Sequence, residues 1–270
     1  MEATISPSRT APRFRWLILA AFIITLVGWL AFTPSGLLGK TDAVGYAVCH
    51  RMEERSFHIG ERQLPMCARC TGMYIGAFIG LIFHLRQGKK GGMPRLKPAI
   101  VLGLFFAAWA LDGVNSYLYF VPAAPHLYQP QNWLRLLTGF GLGLGMASVM
   151  APVFNQSLWT DWSADAALST LRPLAGLIAL CLLAFTATLI ENPLILYPIA
   201  VLSSATVLTL LTMIYTVVWT MLLRRENQFN SIREAWWLVL AGLTTAILQI
   251  AVLDLIRYRM TGTWGGFPIS

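Results

Sequence analysis

Seven runs of mostly apolar residues dominate the chain, at about 14–32, 70–85, 98–120, 134–154, 173–190, 197–223 and 234–258. A helix needs about 20 such residues to cross a hydrocarbon core of roughly 30 Å. In lipid every backbone polar group must be satisfied within the protein, which leaves helical bundles and closed barrels. The residue-by-residue alternation of a membrane barrel is absent. The expected fold class is therefore all-α, a polytopic transmembrane bundle of about seven spans. Composition agrees: 12% of residues are charged, against about 25% in soluble domains. The 56% hydrophobic content excludes a disordered chain. Residues 1–13 read as a cytoplasmic tail, 14–154 as four spans with one long loop at 33–69, and 155–270 as three further spans. The first run follows Arg9, Arg13 and Arg15, as in a signal peptide, but is long for one. With no A-x-A site after it, it reads as an uncleaved anchor.

The net charge of +8 suggests a nucleic-acid partner until the bases are placed. Alternate flanks divide them unequally. The N-terminal tail and segments 86–97, 155–172 and 224–233 hold 12 of the 20 Lys and Arg residues. Of the other 8, five lie in loop 33–69 beside Asp42, Glu53, Glu54 and Glu61. By the positive-inside rule the N-terminus is cytoplasmic, while loop 33–69 and the C-terminus are extracytoplasmic. The bases then mark flanks beside anionic headgroups. The partner is a lipid bilayer, in a multi-pass cell-membrane protein, and not nucleic acid.

Loop 33–69 concentrates the reactive side chains, with three of the four cysteines and two of the four histidines in or at its edge. Unstructured loops of this length are usually functional. Residues 41–54 are expected to form a short interfacial helix, capped by Thr41 or Asp42. Gly60 reads as a turn, and Pro65 suits the first turn of the second span. Cys67 and Cys70 then share one face of that helix's N-terminus, where free amides favour thiolate.

The pattern Cys49-His50, Glu54-Arg55-Ser56-Phe57, Gly60, Leu64-Pro65, Cys67-Ala68-Arg69-Cys70-Thr71-Gly72, Tyr74, Gly76 resembles domain-of-unknown-function family 2085, predicted prokaryotic membrane proteins. The resemblance is dense across 48–80 and looser through Asp112 and Asn132–Gly143. It implies a polytopic membrane protein and brings no reaction with it.

The residues leave three chemical readings open, and none of them decides whether the chain is an enzyme. The first is a divalent metal site, zinc above all, on Cys49, His50, Cys67 and Cys70, with His58 as the other candidate histidine. The Cys-x-x-Cys spacing is that of a zinc half-site. The second is thiol–disulfide exchange, with Cys49 as partner of the pair. The third is a structural or transport-related membrane protein in which a disulfide, Cys67–Cys70 or Cys49–Cys67, staples the loop to the bundle. A c-type haem is disfavoured because Thr71, not His, follows Cys70. Cys181 reads as a small buried residue.

Ionisable groups in spans are functional candidates by default. Arg69, Asp112, Asn115, Asn132, Arg135, Glu191 and Asp254 fall at one depth, level with the cysteines. With Glu54 and Arg55 they suggest a polar pocket opening outward under the loop, in which Asp112 pairs with Arg69 or Arg135. Glu191 and Asn192 read rather as interface residues ending a helix. Arg257 and Arg259 read as arginines snorkelling to headgroups, and His84 as an interface residue. Gly72, Gly76 and Gly80 on the second span, and Gly139 and Gly143 on the fourth, form small-residue faces that permit close helix contact.

Overall fold

A computed structural model describes residues 12–121 and 125–266. The N-terminal arginine Arg9 lies outside them. Eight helices fill the described chain: α1 (Pro12–Phe32), α2 (Gly36–Val48), α3 (Ala68–Arg86), α4 (Leu96–Leu118), α5 (Asn132–Leu158), α6 (Leu171–Leu189), α7 (Pro193–Leu222) and α8 (Ile232–Thr261). All but α2 are long and apolar enough to cross a membrane. The fold is the all-α polytopic bundle expected. Two short hairpin strands, β1 (His58–Ile59) and β2 (Arg62–Gln63), pair antiparallel, with Gly60 at φ +62° in their turn. Two more, β3 (Lys90–Gly92) and β4 (Ser163–Ala166), pair in parallel.

The bundle is organised around α3 and α5, which form its largest helix–helix contact. Glycines make that approach possible. A Cβ on Gly72 would strike the Leu136 carbonyl, and one on Gly143 would strike the Met73 carbonyl. The glycines on each helix thus receive the backbone of the other, as small-residue faces allow. Many side chains on α1, α4 and α6 point outward and are apolar, among them Ile24, Leu104 and Leu183. That is the exterior a lipid-embedded bundle presents.

The loops fall into two groups, one at each end. At one end β3 pairs with β4, Lys89 bridges to Asp161 at 2.6 Å, and the Lys89 Nζ also donates to the Asn230 carbonyl. Segments 86–97, 155–172 and 224–233 therefore meet. At the other end the 49–67 segment meets the start of α5 and the residues after α8, through Asn132 to Glu54 O and Arg51 to Trp264 O. These are the two sets of flanks into which the sequence divides the bases.

Two local expectations are corrected. The short helix before the cysteines runs 36–48, not 41–54. Ser35 is its N-cap, and Thr41 and Asp42 lie inside it. It ends at Cys49 because Arg51, at φ +53°, turns the chain away. α2 also packs against α7 and α8 with Ala43, Val44 and Tyr46 fully buried, so it is more than an interfacial helix. The second correction concerns α3, which starts at Ala68 with Cys67 as N-cap, so Pro65 precedes the helix.

Candidate functional site

Cys49 arrives as the C-cap of α2, and its N–H donates to Gly45 O. Cys67 arrives as the N-cap of α3, with Cys70 one turn on. The segment between them is folded back by Asp42, whose two oxygens hold Arg51 at 3.1 Å and Arg62 at 2.5 Å. Gly45 lies so close to Pro65 O that a Cβ there would collide with it. The two cysteine-bearing helix ends are thereby brought together.

The result is a cluster of three sulfurs, Cys49, Cys67 and Cys70, all within 4.8 Å of one another. Cys49 and Cys67 are buried, Cys70 is partly so, and all are free thiols. Around them lie Trp29, Val44, Met66, Val207 and Ile250, an apolar setting. The Cys67 N–H donates to the Cys49 sulfur at 3.3 Å. The neighbouring Cys67 and Cys70 thiols add further hydrogen bonds to Cys49, which hold its thiol well below the usual range despite burial. The Cys67 thiol is pushed up to about 12, first by Cys49 and then by burial, which corrects the expectation that the helix N-terminus favours a thiolate at Cys67. Of these two, Cys49 is therefore the first to ionise, in a spot prepared by a helix N-terminus.

His50 is close only in part. Its Nδ1 lies 3.8 Å from the Cys49 sulfur and also accepts from the Met52 N–H at 3.4 Å. Among the described residues the group of mutually close ligand atoms is the three cysteines, without His50 or His58. His58 sits on the β1 hairpin, 4.0 Å from Glu53.

A residue far along the chain holds this site in place. Arg257, read as a snorkelling arginine, is buried beneath the Cys49 loop. Its Nη1 donates to Tyr46 O and Cys49 O at 2.6 Å each, and its Nη2 to His50 O at 3.0 Å. Its guanidinium also stacks 4.0 Å from the Tyr46 ring centroid. The residues after α8 roof the same spot: the Tyr46 hydroxyl donates to Thr263 O at 2.7 Å, and Trp264 packs on the Tyr46 ring. The partners are more than 200 positions apart, so no local pattern could mark them.

The polar residues divide. Arg69 pairs with Asp112, its Nε at 3.1 Å and Nη2 at 2.5 Å from one carboxylate oxygen. The Tyr128 hydroxyl donates to the other oxygen at 2.9 Å. Asp112 is 1% exposed, so this is a closed network instead of a pocket open at Asp112. Asn115 binds the 127–128 backbone, holding the α4–α5 connection over it. Asn132 accepts from Arg135 at 2.9 Å and donates to Glu54 O, whose own side chain is exposed. Arg55 donates to Ser116 O and stacks 3.7 Å over Phe120. Asp254 stands outside this network: it is 3.4 Å from Trp29 Nε1, at the contact of α1 and α8, and Trp29 belongs to the apolar cluster around the cysteines. Glu191 is exposed in the α6–α7 turn at φ +55°, and Asn192 caps α7. His84 is buried in the last turn of α3, at the end opposite the cysteines.

Residues 49–149 match a family described as predicted membrane protein (DUF2085). An uncharacterised protein of Methanocaldococcus jannaschii is 25% identical over 160 residues, covering 54% of this chain and 96% of that one. An uncharacterised protein of Methanothermobacter thermautotrophicus is 29% identical over 100 residues, covering 37% of this chain and 81% of its own length. No solved structure matches the chain. The resemblance carried by the cysteine signature therefore holds, and it spans the region that contains all three clustered sulfurs.

Proposed function

We propose that this polytopic membrane protein, similar over residues 49–149 to the DUF2085 family, binds a thiophilic divalent metal ion, zinc, on Cys49, Cys67 and Cys70. The observation that carries this reading is the three free sulfurs within 4.8 Å of one another. A tetrahedral zinc with bonds of about 2.3 Å sets its sulfurs about 3.8 Å apart, so only a small contraction is needed. The donor set is soft, as zinc prefers. Burial of two of the sulfurs fits a resident ion better than exchange with a protein partner, which needs a reachable sulfur. The fourth position goes to His50, after a turn of its ring, or to water or a substrate. A three-ligand zinc with an open position is the form that supports catalysis, a closed four-ligand site the form that supports structure.

The site faces the extracytoplasmic side in this reading. Its support is the distribution of bases over the two loop groups that the bundle ends bring together. Thiol–disulfide exchange is the second reading, favoured by the low-lying Cys49 thiol beside two others.

Alkylation of the purified protein separates the two. Zinc should protect all three thiols, and a chelator should restore their reactivity. Equal reactivity with and without zinc, together with a disulfide that forms and is reduced reversibly among the three, would replace the metal reading with exchange. In whole cells, an impermeant thiol reagent should reach a cysteine placed at Glu61 and miss one placed at Gly88. The reverse pattern would invert the orientation.

A further inference from the structure

Three arginines converge at the cysteine end of the bundle with too few acids to match them. Arg55 Nη2 and Arg69 Nη2 both donate to Ser116, one to its carbonyl at 3.3 Å and one to its hydroxyl at 3.0 Å. Arg135 reaches the same corner through Asn132, which binds the carbonyl of the residue preceding Arg55. Asp112 is the one buried carboxylate among them, and it is committed to Arg69 and Tyr128. Glu54 is exposed. Among the described residues neither Arg55 nor Arg135 has a carboxylate within ion-pair distance.

Buried charges are normally paired. Arg55 is 9% exposed and Arg135 6%. Arg55 has partial compensation from the last-turn carbonyl of α4 and the Phe120 ring. Arg135 has less: it sits in the first turns of α5, where the helix dipole opposes a cation. Its Nε is buried without a hydrogen-bond partner among the described residues. A donor left over at the meeting of three guanidiniums is a donor awaiting an acceptor.

We infer that Arg55, Arg69 and Arg135 form a binding site for an oxyanion of the phosphate type, carried by a free ion or by a phospholipid headgroup. Planar guanidiniums suit two-point recognition of such a group. Arg69 and Arg135 sit in the first turns of α3 and α5, at the ends of two candidate spans. It stands on its own residues, and does not depend on a metal at the cysteines.

The test uses the full-length protein in a neutral detergent, with thermal unfolding and calorimetric binding as readouts. One arm titrates inorganic phosphate against chloride at equal ionic strength, and the other titrates phosphatidylglycerol against phosphatidylcholine. Saturable binding in either arm, weakened about tenfold or more in Arg135→Gln and less in Arg135→Lys, is the expected result. Which arm responds identifies the source. Arg55→Gln serves as a second variant should Arg135→Gln misfold, and Cys67→Ser should leave anion binding intact. No saturable response in either arm, or a response lost in Cys67→Ser but kept in the arginine variants, would overturn the inference. In the latter case the anion would be sitting at the cysteines, so this failure is distinguishable from failure of the metal reading.

Discussion

Removing the carboxylate of Asp112 should destabilise the bundle by several kcal/mol, about 4 in all. Its side chain accepts three hydrogen bonds, two from Arg69 and one from Tyr128. Asp112→Ala leaves the Arg69 guanidinium facing two further arginines with no acid among them. Breaking a buried pair from one side costs about 3–5 kcal/mol. The Arg69 side chain is 19% exposed, so water recovers part of this and the lower end, about 3 kcal/mol, applies. The orphaned Tyr128 hydroxyl adds about 1 kcal/mol. For a chain of this size the sum corresponds to a fall in Tm of about 8–16 °C. Thermal unfolding in detergent, followed by circular dichroism, reads it directly. Asp112→Asn keeps the shape and one acceptor and should cost about half as much. The double variant Arg69→Met with Asp112→Leu should recover most of the loss, because an apolar pair of similar volume replaces a buried ion pair with little penalty. A fall of less than about 2 °C for Asp112→Ala would refute the reasoning, since the pair would then be solvated.

Three further outcomes follow from the packing. Gly143→Leu should abolish the folded monomer on size-exclusion chromatography, because the Met73 backbone already occupies the space. Gly145→Ala, with nothing near its Cβ position, should leave the elution profile and Tm unchanged. Arg257→Gln should release the Cys49–His50 segment and speed alkylation of Cys49 by about tenfold or more, which mass spectrometry of the labelled peptide can time.

The spans were readable because a continuous apolar run long enough to cross a bilayer has few alternatives. The α3–α5 contact was readable because small residues four apart mark one helix face. The cysteines could be grouped from their spacing, and Cys67 and Cys70 do share a helix N-terminus. The start of α2 is not legible in the sequence because Thr41 and Asp42 have the chemistry of caps. Burial against α7 and α8 extends the helix back to Gly36, and Asp42 is used to clamp Arg51 and Arg62. Arg257 resembles a headgroup arginine in sequence because a span end is the usual place for snorkelling. Its real partners are carbonyls of residues 46, 49 and 50, and a carbonyl has no sequence signature. His58 was a plausible ligand by proximity in the chain, but the β1–β2 hairpin carries it to Glu53. The surplus of arginines at one corner was hidden for a similar reason, since Arg55, Arg69 and Arg135 come from three separate elements.

The central claim is that the three sulfurs hold one metal ion. Elemental analysis of the detergent-purified protein, after exposure to zinc and removal of excess by gel filtration, tests it most directly. The account predicts about one zinc per chain, falling to near zero in Cys49→Ser, Cys67→Ser and Cys70→Ser while Cys181→Ser keeps it. Zinc absent from the wild type, or retained at full stoichiometry in the Cys67→Ser variant, would contradict it.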